Sequence, residues 1–508
     1  MLARATTFAI DGVNPRRVWV EVDIRSGLPA FTIVGLGDTA VRESRERVRS
    51  AILNSGFKFP ERRITANLAP AFLRKAGPGF DAALALAVLA ASEQVPATAL
   101  TGCAVFGELS LGGELRDSPG ALAVAEGARR ARMERLIVPR ERAREAALIG
   151  GLEIAGVSTL REAADVVCGR AQRRPDPAPL ARVSGLPEPD LADIKGHAAP
   201  LLALQIAAAG GHNLLLEGPP GTGKTMLARR LPSILPAMTR AQSIEVTRLH
   251  SIAGTHADGL IEARPFRAPH HTISPAGLVG GGSPPRPGEA TLATHGVLFL
   301  DELSEFQRSS LEALRQPLED RMVTIVRGQR ALRFPTRFML VAATNPCPCG
   351  FAGVGDGDRC SCGEPDLRRY RRRLSGPLLD RMDLLVTVDR PQEGELRAPP
   401  ETDSKSARAR VEAARERQLA RLAGSGARCN GEMDPRLMRS VVRLDAAASE
   451  TLGRAYTGGA LSARGRHRVL RVALTIADLA GHDRITDQDL LLALSLRQRA
   501  GAEDALAA

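Results

Sequence analysis

The nine residues from Glu217 to Thr225, EGPPGTGKT, constrain this chain more than any other stretch. They follow the apolar run Asn213 to Leu216 and precede a helix-like segment from Met226 to Arg230. This is the phosphate-loop pattern in its strand, loop and helix setting. Glycines let backbone amides approach phosphate oxygens closely, and the start of a helix adds the positive end of its dipole. Gly218, Pro219, Pro220, Gly221, Thr222 and Gly223 would form the cradle. Lys224 would neutralise the β and γ phosphates, and Thr225 would hold Mg²⁺ through its hydroxyl. The pattern predicts an α/β fold whose parallel sheet binds ATP and Mg²⁺ at the carboxyl ends of its strands.

Two further runs, GVLFLDE and FMLVAATN, are short, continuously apolar and bounded by turns, as strands buried on both faces are. The first ends in Asp301, placed for a second Mg²⁺ contact, and Glu302, placed to deprotonate the attacking water. An acidic pair after a strand is by itself commonly a helix cap; joined to an upstream phosphate loop, it points to hydrolysis. The second ends in Asn345, a neutral donor suited to the attacking water or the γ phosphate, although an Asn before Pro346 also suits a turn. Arg381 in SGPLLDRMD would meet transition-state charge if a neighbouring subunit presented it, which requires an oligomer. Arg464 opens a helix in SARGRHR and is expected to reach the phosphates from the same subunit, with Arg468 as its competitor one turn later. Both also suit salt bridges.

A chain of 508 residues exceeds one hydrophobic core. Residues 1–170 mix strand-like and helix-like segments, 171–188 are rich in Pro and charge and read as a linker, 189–395 hold the nucleotide motifs, and 396–508 are helical throughout. The clearest helix, in LSARGRHRVLRVALTIADLAG, is expected to end at Gly481. With 44% hydrophobic and 25% charged residues, the chain is neither disordered nor membrane-embedded in type. No window approaches the roughly 20 apolar residues of a membrane span, so a cytoplasmic protein with no membrane partner is expected. Lys and Arg exceed Asp and Glu by 12, a balance that attracts phosphate-rich polymers, although a GC-rich genome also enriches Arg.

The stretches DIKGH, AAAGGHNLLLEGPPGTGKTMLARRLPSILP, FRAPHHTISPAGLVGGG, VAATNPCPCG, RYRRRLSGPLLDRMDL and LSARGRHRVLRVALTIADL together resemble the magnesium-chelatase-like branch of AAA+ proteins, and within it the ComM/YifB family. The departures are small: Thr294 and His295 stand where His and Asn are more usual, and Thr344 where Met is. The resemblance implies a central AAA+ core, a C-terminal helical lid and an N-terminal domain similar in fold to the Lon protease domain. It further implies a hexameric, ATP-driven DNA motor promoting branch migration in natural transformation. The ATP-site roles then fall on Lys224, Thr225, Asp301, Glu302, Asn345, Arg381 and Arg464. In the N-terminal domain, KAGPGFDAALALA places Gly79 where a serine nucleophile would stand, so no peptidase activity is expected.

Two insertions are candidates for touching single-stranded or branched DNA. Residues 272–290 are too rich in Gly and Pro for core and read as a mobile loop. MVTIVRGQRALRF reads as a hairpin with Arg327 and Arg330 flanking Gly328 and Gln329 at its tip, where guanidinium groups can pair with phosphates without reading sequence. Cys347, Cys349, Cys360 and Cys362 crowd into sixteen positions and would surround a structural Zn²⁺, the alternative being a reduced, metal-free loop. The motifs also admit a ring of magnesium-chelatase type that remodels a protein partner.

Overall fold

The computed structural model describes residues 1–497 apart from 36, 74, 76, 78, 172–188, 256–258, 283, 284, 328, 329, 353–358, 374, 375 and 460. Most of the expected linker and the last eleven residues, 498–508, therefore lie outside the described residues.

The alternation in RVWVEVDI becomes the inward face of a sheet strand. Val18, Val20, Val22 and Ile24 of β2 (Asn14–Arg25) are buried, and β2 pairs antiparallel with β1 (Leu2–Asp11). With β3 (Ala30–Val34), β4 (Arg63–Ala69) and β5 (Cys103–Val105) they begin a mixed sheet. A small hairpin of β6 (Glu108–Leu109) and β7 (Leu115–Arg116) follows, and β8 (Arg135–Pro139) and β9 (Glu153–Val157) complete the sheet in the order β3-β4-β2-β1-β5-β8-β9. The helix Asp81–Ala91, DAALALAVLAA, is apolar all round and is buried along its whole length. Just before it, a side chain at Gly79 would lie 2.5 Å from the Phe106 ring, so a serine there has no room.

The second sheet is parallel throughout. Chain order gives β10 (Leu214–Glu217), β11 (Phe266–Arg267), a two-residue hairpin of β12 (Gly280–Gly281) and β13 (Arg286–Pro287), β14 (Val297–Leu300), a long hairpin of β15 (Met322–Arg327) and β16 (Arg330–Pro335), β17 (Met339–Thr344) and β18 (Leu384–Thr387). The sheet order is β11-β14-β17-β10-β18. All of β14 and β17 is buried, which explains their unbroken apolar runs. Because every strand runs the same way, their carboxyl ends gather at one edge, and the loops that follow β10, β14 and β17 meet there.

One apolar cluster joins this sheet to the helices Ala198–Gly210, Lys224–Ile234, Ser404–Arg421 and Ala463–Ala480. The last of these begins on Ser462, whose hydroxyl accepts from the Gly465 amide, and ends where Gly481 takes φ +82°. The N-terminal helix Ala121–Arg130 docks on the helix Arg240–Ala253: Arg248 pairs with Glu126 at 2.5 Å, and the Gly120 amide at its start donates to Ser251 at 3.1 Å. Val13, at the turn between β1 and β2, packs with Leu249 and with Val323 and Phe334 of the long hairpin.

The segment 272–290 is not the loose loop its composition suggests. Ser274 caps a helix over Pro275–Val279, Leu278 is buried, and a second short helix follows at Glu289–Leu292. Its glycines serve close packing: Gly280 has φ +105°, and a Cβ on Gly288 would lie 2.3 Å from the Gly280 amide nitrogen. Arg267 grips Glu289 with two bonds of 2.6 and 2.8 Å, pinning the segment to β11.

Candidate active site

At the carboxyl edge, β10 delivers the phosphate loop. The first glycine is obligatory, since a Cβ on Gly218 would lie 2.2 Å from the Val388 carbonyl oxygen. Gly223 adopts φ +85° to start the helix Lys224–Ile234, and the Thr222 hydroxyl donates to the Pro219 carbonyl at 3.0 Å. The Lys224 ammonium donates to the carbonyls of Gly218 and Pro219, both at 2.7 Å, and to Asn345 Oδ1 at 3.1 Å. Burial lowers the Lys224 pKa, against the opposing pull of Asp301 and Glu302.

Thr225 Oγ1 donates to Asp301 Oδ2 at 2.7 Å, so the two expected Mg²⁺ contacts already touch. A hydroxyl and a carboxylate side by side are the hard oxygen donors this ion prefers. Glu302 follows in a left-handed conformation, φ +52°, which turns its carboxylate outward to 61% exposure. His271 Nδ1 lies 3.7 Å from Glu302 Oε2. A bulky residue in that backbone region costs about 1–3 kcal/mol and is retained where the surroundings fix it.

The amino edge carries the arginines. Arg381 is 9% exposed and paired with Glu319. It lines a cavity of about 770 Å³ together with Arg264, Arg415, Arg468 and Arg471. Burial, with Arg415 and Arg408 nearby, pushes Arg264 down to about 10. Asn213 ties this edge together: its side-chain amide donates to the Arg381 carbonyl at 3.0 Å and accepts from the Leu340 amide at 2.9 Å.

This placement corrects one expectation. Arg468 Nε sits 3.8 Å from Asp383 Oδ1, and Arg497, beside Gly465, donates to the Met382 carbonyl at 3.1 Å. The first turns of Ala463–Ala480 therefore rest against the residues preceding β18, at the edge opposite the phosphate loop. Arg464, exposed in the first of those turns, is on the Arg381 side rather than at its own subunit's phosphates, and Arg468 is with it. The apolar face from Val469 to Ala477 must pack into the shared core, and that fixes where the helix begins.

All four cysteine sulfurs, of Cys347, Cys349, Cys360 and Cys362, lie within 4.8 Å of one another. Cys347 Sγ is 3.2 Å from Cys349 Sγ and 3.8 Å from Cys360 Sγ, and Cys349 Sγ is 3.6 Å from Cys360 Sγ. The amides of Gly350 and Ala352 both donate to Cys347 Sγ at 3.2 Å. Hydrogen bonding from the Phe351 amide, with help from Cys347, brings Cys349 down to about 6.

The long hairpin forms with Arg327 opposite Arg330 at the end of its ladder, while Gly328 and Gln329 lie outside the described residues. Ile325 approaches Gly280, so the two insertions pack on each other.

Comparison with known proteins agrees with this geometry. Residues 190–396 match the family described as "Magnesium chelatase, subunit ChlI", residues 20–142 match "Subunit ChlI of Mg-chelatase", and residues 401–497 match its C-terminal family. An uncharacterised protein of Mycobacterium tuberculosis is 43% identical over 502 residues, 98% of this chain and 99% of its own. YifB of Escherichia coli is 42% identical over 495 residues, 97% and 96% of the two chains. The competence protein ComM of Haemophilus influenzae is 41% identical over 496 residues, 96% and 95% of the two chains. The chain belongs to the ComM/YifB family of magnesium-chelatase-like AAA+ proteins.

Membership in the ComM/YifB family implies a nucleotide and Mg²⁺ as ligands. Among the described residues no helix is long and apolar enough to cross a membrane. Several contributors went unremarked in the sequence. His197, from the DIKGH stretch, is buried with Nε2 3.8 Å from a Cβ built on Gly223. The Tyr370 hydroxyl donates to the Asn345 carbonyl at 3.0 Å and meets Ser304 Oγ at 2.9 Å. His271 stood in the FRAPHHTIS stretch, where its pairing with Glu302 has no sequence signal.

Proposed function

We propose that this chain is an ATP-driven DNA translocase that promotes branch migration, working as a homo-hexameric ring. The observation that carries the reading is its near full-length likeness to a competence protein. The basic balance and the packed pair of insertions support it. In this reading Lys224 and the loop amides bind the triphosphate, and Thr225 and Asp301 hold the Mg²⁺ that neutralises its charge. Glu302 takes the proton of the water that attacks the γ phosphorus, and Asn345 orients that water. Arg381, with Arg464 or Arg468 from the same edge, meets the nucleotide of the neighbouring protomer. Arg327 and Arg330 contact the DNA backbone inside the ring.

We also infer that the four cysteines hold one structural Zn²⁺. Tetrahedral thiolates about 2.3 Å from zinc lie about 3.8 Å apart, close to the 3.2–3.8 Å separating the sulfurs of Cys347, Cys349 and Cys360, with Cys362 within 4.8 Å of each.

The test is ATPase turnover with and without single-stranded DNA, beside displacement from a labelled branched substrate. DNA should stimulate turnover, and the branch should move only with hydrolysis. The double change Arg327→Ala and Arg330→Ala should leave basal turnover alone and weaken DNA stimulation several-fold at moderate salt. A chain that neither binds nor responds to DNA at low salt has a protein client, as a chelatase-type ring does, and the DNA assignment falls.

A further inference from the structure

The loop that carries the cysteines both starts and ends at the ATP site. It leaves β17 at Asn345, whose Oδ1 accepts from Lys224 at 3.1 Å. It returns into the helix Glu364–Arg373, where the Tyr370 hydroxyl donates to the Asn345 carbonyl at 3.0 Å. The same hydroxyl lies 2.9 Å from Ser304 Oγ and 3.4 Å from Thr344 Oγ1, so one phenol joins the loop's far end to β17 and to the turn just after Glu302. Between these anchors, Gly350 donates its amide to Cys347 Sγ and sits against the phosphate loop: a Cβ there would be 2.6 Å from Pro220 Cδ. The sulfur cluster is therefore one residue removed from contact with the ATP cradle.

We propose that the cysteine cluster is a metal-operated clamp on hydrolysis. Gathering four thiolates on one ion closes the loop between Asn345 and Tyr370 and seats Gly350 on Pro220. Asn345 is then fixed against Lys224 in the position hydrolysis needs. The proposal rests on the zinc reading above and adds to it a consequence for catalysis. Its physical basis is that a loop without a cross-link gains the conformational entropy that its closure had removed. Without the ion both of the loop's anchors at the ATP site slacken. Tyr370 is a positioning residue in this scheme, since it acts through Asn345 and touches no reacting atom.

The experiment uses the full-length chain as wild type, Cys360→Ser and Tyr370→Phe. Zinc content is measured by atomic absorption, thiolate coordination by the visible spectrum after Co²⁺ replacement, and kcat and ATP affinity separately. Wild type should carry one zinc per chain, and Cys360→Ser should lose it with kcat falling about tenfold or more while ATP affinity changes little. Tyr370→Phe should keep the zinc and the cobalt spectrum, with kcat several-fold lower. A wild type with neither zinc nor thiolate-to-cobalt absorption defeats the metal reading and the clamp together. Loss of zinc from Cys360→Ser at wild-type kcat defeats the clamp alone. Should Cys360→Ser not fold, a zinc-loaded Tyr370→Phe with wild-type kcat overturns the clamp.

Discussion

At the carboxyl edge of the parallel sheet, Lys224 bonds to Asn345 at 3.1 Å and Thr225 to Asp301 at 2.7 Å, joining three loops. At the amino edge, eight arginines line one cavity, and the buried Arg415 Nε, Arg468 Nη1 and Arg471 Nε find no hydrogen-bond partner among the described residues. The two edges thus differ in how much of their chemistry they supply for themselves. One is a nearly complete nucleotide cradle; the other concentrates cationic donors beyond what its own acids satisfy, and burial alone makes that costly. In the ring proposed above, the arginine edge of one protomer meets the cradle of the next.

The sharpest way to break this contrast is at Arg381. Arg381→Ala should lower turnover by about 10³-fold in an intact assembly. Mixing it with Lys224→Ala, itself inactive, should restore part of the turnover, because some interfaces then pair an intact cradle with an intact arginine edge. Absence of any recovery in confirmed mixed rings would place Arg381 in its own subunit's site. Next in size, Glu302→Gln should cut turnover by about 10²-fold or more while ATP binding persists, read by turnover and nucleotide affinity side by side. Normal turnover in that variant would remove Glu302 from the cradle's chemistry.

The smallest effect is a pH dependence. Burial lowers the Lys224 pKa, so the ammonium is lost earlier on the alkaline side than in an ordinary lysine. ATP affinity should weaken a few-fold as pH rises through that lowered pKa. The sign for the nucleotide-free fold is opposite: the unfolded chain holds the proton more tightly, so stability rises with pH there. Titrating ATP affinity and thermal midpoint together over the alkaline range separates the two trends.

Much of the carboxyl edge is legible in the sequence because its signals are local. The glycine spacing of the phosphate loop, the apolar runs of β14 and β17 and the Gly481 cap each report a backbone geometry within a few residues. The amino edge is not legible in this way. Where Arg464 and Arg468 fall depends on how the face from Val469 to Ala477 packs into a core drawn from distant segments. The segment 272–290 misleads for a related reason: glycine marks loose loops and tight backbone crossings alike, and only the contact between Gly280 and Gly288 distinguishes them. Tyr370 and His271 matter through partners far away in the chain, Ser304 and Glu302, and no spacing rule joins them.

The strand order has a consequence for how the protein is made. β10, which bears the phosphate loop, lies between β17 and β18, pairing Leu214 with Val341 on one side and Leu384 on the other. During synthesis its hydrogen bonds stay unmet until residues far downstream leave the ribosome, whereas β1 and β2 can close on each other almost at once. For that interval an apolar strand ending in a glycine-rich turn is exposed. The wait for a complete ATP site is thus also an interval of exposure to aggregation.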